Sequence, residues 1–334
     1  MATEHAHLAL AVDVIHPRDV GQGENAETPD NPDYPWHFLA EGDSWFTIAA
    51  IPSSNLLLEL RLGRWTQILN LAYPGDTLRN IEDLPRNKDL KRFLAKKNFC
   101  SRFDGLLLSG GGNDLIGGVD ALVRTEPPPG ADLSLPQSYV DEEAFAALLL
   151  KVQGAFAAIV GVRDSAHSLS HDSPAFVHTY DYATPRDAPA RFVGSVPIAG
   201  PWLFKLFAGS GIDISMQQRI ADLLTDGLAD AVLALDSDSG SEGKRLPAFH
   251  VVDTRDTLVR ANPTERGNSN DWINEIHPNL GGYRKIAARL SARINEVLLG
   301  RGEAAPPRRA AVPLRRAVAR GRPPAAPPAR RARR

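Results

Sequence analysis

The sequence predicts an α/β fold in which a parallel sheet carries helices on both faces. Two observations predict it, and a third narrows the class. Five short apolar runs end in turn-forming or small polar residues, the pattern of buried strands. Longer segments with helical periodicity separate them, and alternation of strand and helix favours parallel crossovers. Cys100 is the single cysteine in 334 residues, which excludes an intrachain disulfide framework and a Cys-based zinc site.

Residues 1–35 read as an N-terminal arm, because 17–35 are rich in Asp, Asn, Pro, Gly and Glu. The first strand is His37 to Glu41, closed by Gly42. The second is Gln67 to Ala72, closed by Pro74-Gly75. The third is Gly105 to Ser109, closed by three glycines. The fourth is Ala175 to Tyr180, ending at Asp181, and the fifth is Ala248 to Val252, ending at Asp253. Helices are expected over 78–98, 139–162, 213–236 and 279–299, with Glu142 and Glu143 opening the second of these, where acids suit the helix dipole. Residues 124–137 read as a loop. Residues 194–212 are a Gly-punctuated apolar insertion, which either lines a site or tucks into the core. In such sheets the site lies beyond the C-terminal strand ends.

The composition is that of an ordinary globular protein, 43% hydrophobic with a formal charge of −2, and excludes a collagen-like or wholly disordered chain. The charge is unevenly divided. Residues 301–334 hold eleven Arg, seven Pro and ten Ala against one acid, Glu303, a tail of +10 on a body of −12. Such a tail cannot bury enough apolar surface to fold. It is a solvated tail, or an arm for an anionic partner such as nucleic acid, anionic lipid or an acidic protein surface. The folded body is then 36–300. The N-terminus lacks the basic flank of a signal peptide. No stretch is read as approaching the roughly 20 apolar residues of a membrane span. The expectation is a soluble, cytoplasmic protein.

The strand ends carry the chemistry. Glu41-Gly-Asp-Ser-Trp-Phe46 sets Ser44 just after a buried strand. Phe46 stands where a GxSxG elbow would have its second glycine, and a serine in such a turn often only caps a helix. Gly75 lets a backbone N–H approach a ligand or simply turns the chain. Asn113, after Gly110-Gly-Gly112, offers an amide that cannot lose its proton, suited to a developing oxyanion. No Gly-Lys-Ser/Thr follows, so a phosphate loop is disfavoured. His277 lies in Asn270-Asp-Trp-Ile-Asn-Glu-Ile-His-Pro-Asn-Leu-Gly-Gly-Tyr283, and a lone histidine is more often structural than catalytic. Asp43 and Asp114 are expected to fix loops by accepting backbone N–H bonds. Trp45, Asp181, Trp202 and Phe204 are candidate pocket residues.

In combination and order, these blocks resemble the GDSL/SGNH hydrolase family over roughly residues 36–298. The resemblance implies a flavodoxin-like three-layer α/β/α sandwich with a five-stranded parallel sheet. It also implies ester hydrolysis through an acyl-enzyme, with no cofactor or metal and a small-molecule or lipid ester as substrate. Ser44 then corresponds to the nucleophile and His277 to its general base. The backbone N–H groups of Ser44 and Gly75 and the side chain of Asn113 correspond to the oxyanion hole.

One position departs. The family's Asp, three residues before the histidine, is here Asn274, followed by Glu275. Asn274 in the family position, Asp271, Glu275 or a backbone carbonyl are the alternatives for orienting His277. Activity should rise as His277 becomes neutral, near about pH 6–7 in a mild environment. The rival expectation is a non-catalytic acyl-ligand or carbohydrate-binding protein on the same fold.

Overall fold

A computed structural model describes residues 9–21, 26–47, 54–83, 85–191 and 197–302. The expected tail interactions, and residues 194–196 of the insertion, lie outside the described residues.

The sheet is built from strands β1 (Leu10–Ile15), β2 (Trp36–Gly42), β3 (Arg61–Leu62), β4 (Thr66–Asn70), β5 (Gly105–Ser109), β6 (Ala175–His178) and β9 (Phe249–Val252). A separate hairpin pairs β7 (Ala190–Arg191) with β8 (Pro197–Ala199). The helices are α1 (Leu78–Glu82), α2 (Lys88–Leu90), α3 (Gly112–Leu122), α4 (Glu142–Arg163), α5 (Leu203–Phe207), α6 (Ile214–Leu233) and α7 (Leu280–Gly302).

The sheet has seven strands in the order β3-β1-β4-β2-β5-β6-β9. The five expected runs are its adjacent strands β4, β2, β5, β6 and β9, all mutually parallel. The expected five-stranded sheet is therefore too small. The stretch read as an arm supplies β1, parallel to β4 from Val12↔Thr66 to Ile15↔Leu69. The two-residue β3 closes that edge antiparallel. Asp13 breaks the apolar run of β1, which hides it in the sequence. It sits on an edge-side strand whose burial alternates, and its carboxylate accepts the Tyr34 hydroxyl.

Successive strand residues point to opposite faces, and each face is covered. Leu39, Leu69, Leu106, Leu108 and Val177 meet one core with the buried sides of α1, α3, α4 and α6. Phe38, Ala40, Ile68, Leu107 and Phe176 meet the other with Leu56–Leu62 and α7, through Tyr283, Ile286, Leu290 and Ile294. Burial of both faces is why β2 and β5 read as continuous apolar runs.

The helix expected over 78–98 is broken. α1 stops at Glu82, and a short helix resumes at Lys88 and passes into a wider turn over Lys91–Ala95. Pro85 has no N–H to continue the ladder. α4 and α6 start where expected, each capped by an aspartate: Asp141 accepts Ala144 N–H at 3.0 Å and Asp213 accepts Met216 N–H at 3.0 Å. α4 also corrects the membrane-span reading, because its length and composition suffice to cross a membrane. Lys151 and Gln153 interrupt the run and mask this in the sequence. In the fold, Val152, Phe156, Ile159 and Val160 of α4 lie in the core.

Candidate active site

Gly42 ends β2 opposite Ser109 of β5, where an added Cβ would meet Ser109 O at 2.5 Å. The chain then turns into a single 3-10 turn, Ser44–Phe46, capped by Asp43 Oδ1, which accepts Trp45 N–H at 3.0 Å. This places Ser44 at the C-terminal edge of the sheet.

His277 reaches it from the loop before α7. Ser44 Oγ lies 2.7 Å from His277 Nε2. On the far side of the ring, Nδ1 lies 3.1 Å from Asn274 Oδ1. The same oxygen accepts backbone N–H bonds from Ile276 at 3.0 Å and His277 at 2.8 Å. Two fixed donors thus hold the amide with its oxygen toward the ring. Nδ1 must then carry the proton, and Nε2 is left as the acceptor facing the serine. Burial pushes the His277 pKa down to about 4, with the Asp43 carboxylate acting in the opposite direction. The imidazole is therefore neutral at pH 7 and able to take a hydroxyl proton, and the expected mid-range pKa of 6–7 is corrected by its enclosure.

The other candidates for orienting His277 are engaged elsewhere. Asp271 Oδ2 accepts Val259 N–H at 2.6 Å and pairs with Lys285 Nζ, which ties the loop to α7. Glu275, 1% exposed, accepts backbone N–H bonds from Arg186 (3.2 Å), Leu203 (3.0 Å), Phe204 (2.7 Å) and Trp202. Asn279 caps α7 by accepting Gly282 N–H at 3.0 Å.

The expected oxyanion donors sit after three different strands, and of them Ser44 and Asn113 line one cleft. Gly75 turns at φ +85° with open space around it, so its conformation rather than crowding calls for glycine. The next residue, Asp76, accepts Asn113 Nδ2 through its carbonyl at 2.8 Å. That bond ties the start of α3 to the Gly75 turn and uses one of the two amide hydrogens of Asn113. Asp114 accepts Leu78 N–H at 2.9 Å, as its loop-fixing role requires.

A cleft of about 60 Å³ has Ser44 and Asn113 on its wall. Trp45 and Asp181 line it too. Trp45 also belongs to the core, stacked on His178 with ring centroids 5.2 Å apart. The Asp181 carboxylate is filled by the N–H groups of Tyr182, Asp256, Thr257 and Leu258, so it clasps loops rather than facing a ligand. From the apolar insertion, Leu203 lines the cleft. Trp202 and Phe204 are instead held by Glu275, with the Trp202 ring edge-on to His277 at 5.9 Å.

Sequence reasoning missed the polar cluster beneath Ser44. Asp43 Oδ2 accepts the Tyr180 hydroxyl at 2.5 Å, and Oδ1 accepts Ser109 Oγ at 2.8 Å. His178 Nε2 lies 3.0 Å from Ser109 Oγ, while its Nδ1 donates to Thr179 O at 2.8 Å. The available signal was positional: Ser109, His178 and Tyr180 are the polar residues at the ends of the third and fourth apolar runs.

Two buried carboxyls make stability depend on pH. Burial pushes Glu41 and Glu275 each up to about 7. A carboxyl with a raised folded pKa stabilises most when protonated, so this contribution is lost as pH rises through about 7. His277 and His178, both lowered by burial, act oppositely only below their unfolded value. Between pH 6.5 and 8, unfolding free energy should fall by about 1 kcal/mol per carboxyl. Urea melts should show Glu41→Gln removing about half of that slope.

Among the described residues, Asp164, His171 and Asp172 have ligand atoms within 4.8 Å of one another. They lie partly or fully exposed, and Asp164 is bound to Arg163.

No family model and no curated protein matches the chain. Among solved structures, it is similar to Axe2, an acetylxylan esterase from Geobacillus stearothermophilus, at 13% identity and TM-score 0.37, over 77% of this chain and 93% of that one. It is also similar to Est24, a carbohydrate acetylesterase from Sinorhizobium meliloti, at 14% identity and TM-score 0.34, over 78% and 98%. Both are distant likenesses.

Proposed function

We propose that the protein is a serine ester hydrolase of GDSL/SGNH type acting on a small-molecule or lipid ester. The carrying observation is the Ser44 Oγ–His277 Nε2 distance of 2.7 Å, with Nδ1 anchored on Asn274. Ser44 Oγ attacks the ester carbonyl carbon as its proton passes to His277 Nε2. The carbonyl oxygen becomes an oxyanion near the Ser44 and Gly75 N–H groups, the free Asn113 amide hydrogen and the N-terminus of α3. Collapse breaks the bond to the leaving alkoxide, which takes the proton from Nε2. Water then attacks the acyl-enzyme and gives a proton to Nε2, and collapse releases the carboxylic acid as Ser44 Oγ takes that proton back.

The second reading, a non-catalytic acyl-ligand or carbohydrate-binding protein, is favoured by Asn274 standing where a carboxylate would stabilise the imidazolium. A fluorophosphonate probe separates the two. The expected result is stoichiometric labelling at Ser44 by peptide mass spectrometry and none in Ser44→Ala. An unlabelled wild-type protein that still binds an acyl ligand would reverse the choice.

A further inference from the structure

We propose that the cleft beside Ser44 is an acyl pocket for an aliphatic chain, so that the preferred substrates are medium-chain fatty acyl esters rather than acetyl esters. This rests on the ester-hydrolase reading and adds which ester.

The pocket opens between the start of α3 and one stripe of α6. Ala221, Leu224, Thr225 and Leu228 line it, and their spacing puts them on a single helix face. Leu115 and Ile116 of α3 and Leu203 of α5 face them across the gap. From Ala221 to Leu228 this wall runs about 10 Å at the helical rise. An extended chain advances about 1.2 Å per bond, so the wall matches a chain of roughly eight atoms.

The polar side chains on the wall argue for an apolar occupant, because their bonds are already made. Asp181 is filled by four backbone N–H groups. The Tyr180 hydroxyl donates to Asp43, and Thr225 Oγ1 donates to Ala221 O at 2.9 Å. Ser44 and Asn113, at the reacting end, are the exceptions. Beside Asp181, Tyr180 and Thr225 a sugar hydroxyl or a carboxylate would shed water and meet no uncommitted donor, whereas each buried methylene gains by leaving water.

The test is kcat/KM across p-nitrophenyl acetate, butyrate, hexanoate and octanoate, with Ser44→Ala as the control. A rise of roughly fourfold per methylene up to hexanoate is expected. Ala221→Phe, which adds bulk at one end of the wall, should cut the hexanoate-to-acetate ratio at least about tenfold. The half-exposed Ile116→Asp should also lower that ratio, and it covers the case in which the first variant fails to fold. A flat or falling series with Ser44-dependent turnover, or an unchanged ratio in folded variants, overturns the pocket and leaves the hydrolase reading standing. Turnover that survives Ser44→Ala, or none on any ester, overturns both.

Discussion

Ser44→Ala and His277→Ala should each lower kcat for p-nitrophenyl butyrate by about 10⁴- to 10⁶-fold, and the double variant should lose no more than either alone. The non-additivity follows from the 2.7 Å contact between Ser44 Oγ and His277 Nε2. The serine is a poor nucleophile without the base, and the base has no proton to take without the serine. The residual rate would come from the oxyanion donors and the cleft. Steady-state rates for the four proteins check this. A Ser44→Ala rate within tenfold of wild type would remove Ser44 from the chemistry, and multiplied losses in the double variant would mean that the two act separately.

The second large effect is expected at Asn274. Its amide oxygen fixes the tautomer of His277, so Asn274→Ala should lower kcat by about 10³-fold through an unoriented ring. Elsewhere an amide in place of the triad carboxylate costs about 10⁴-fold because the wrong tautomer is held. Here two backbone donors keep Oδ1 toward Nδ1, which avoids that penalty. What the amide does not supply is charge.

His277, pushed down to about 4 by burial, is neutral above that value, and as the proposed base it would be competent there. The profile of kcat/KM should therefore be flat from pH 5 to 8. Asn274→Asp adds an anion beside the ring, which should raise the acidic edge by about one to three pH units. It should also increase the rate above pH 7 by about tenfold, as a stronger base. A pH–rate profile of both proteins measures this, and an acidic edge near 4 in the aspartate variant would contradict it.

The sequence made some of this plain and concealed the rest, for physical reasons. The Ser44–His277 pair is legible because Ser44 follows a strand and His277 precedes a helix, each at a turn that composition marks. The five central strands are legible because parallel strands buried on two faces are continuously apolar. β1 is not, because a half-covered strand tolerates Asp13. The break after α1 was written in Pro85 but overridden by helical periodicity on either side. The depressed His277 pKa was not legible at all, since it comes from surroundings contributed by segments far apart in the chain. Choosing among Asn274, Asp271 and Glu275 likewise needed coordinates: their spacing from His277 does not reveal that Lys285 and Val259 claim Asp271 or that four backbone N–H groups claim Glu275.

Glu275 has a mechanical consequence. It sits between Asn274 and His277 in the chain, yet its carboxylate grips the backbone of Trp202, Leu203 and Phe204. The segment that brings Leu203 to the cleft wall and the loop that carries His277 are thus two ends of one strut. A substitution that shifts residues 202–204 to admit a different substrate would also tilt the imidazole. Selection for a new substrate and selection for speed would act on the same few atoms, so a lineage changing one would need compensating changes in the other.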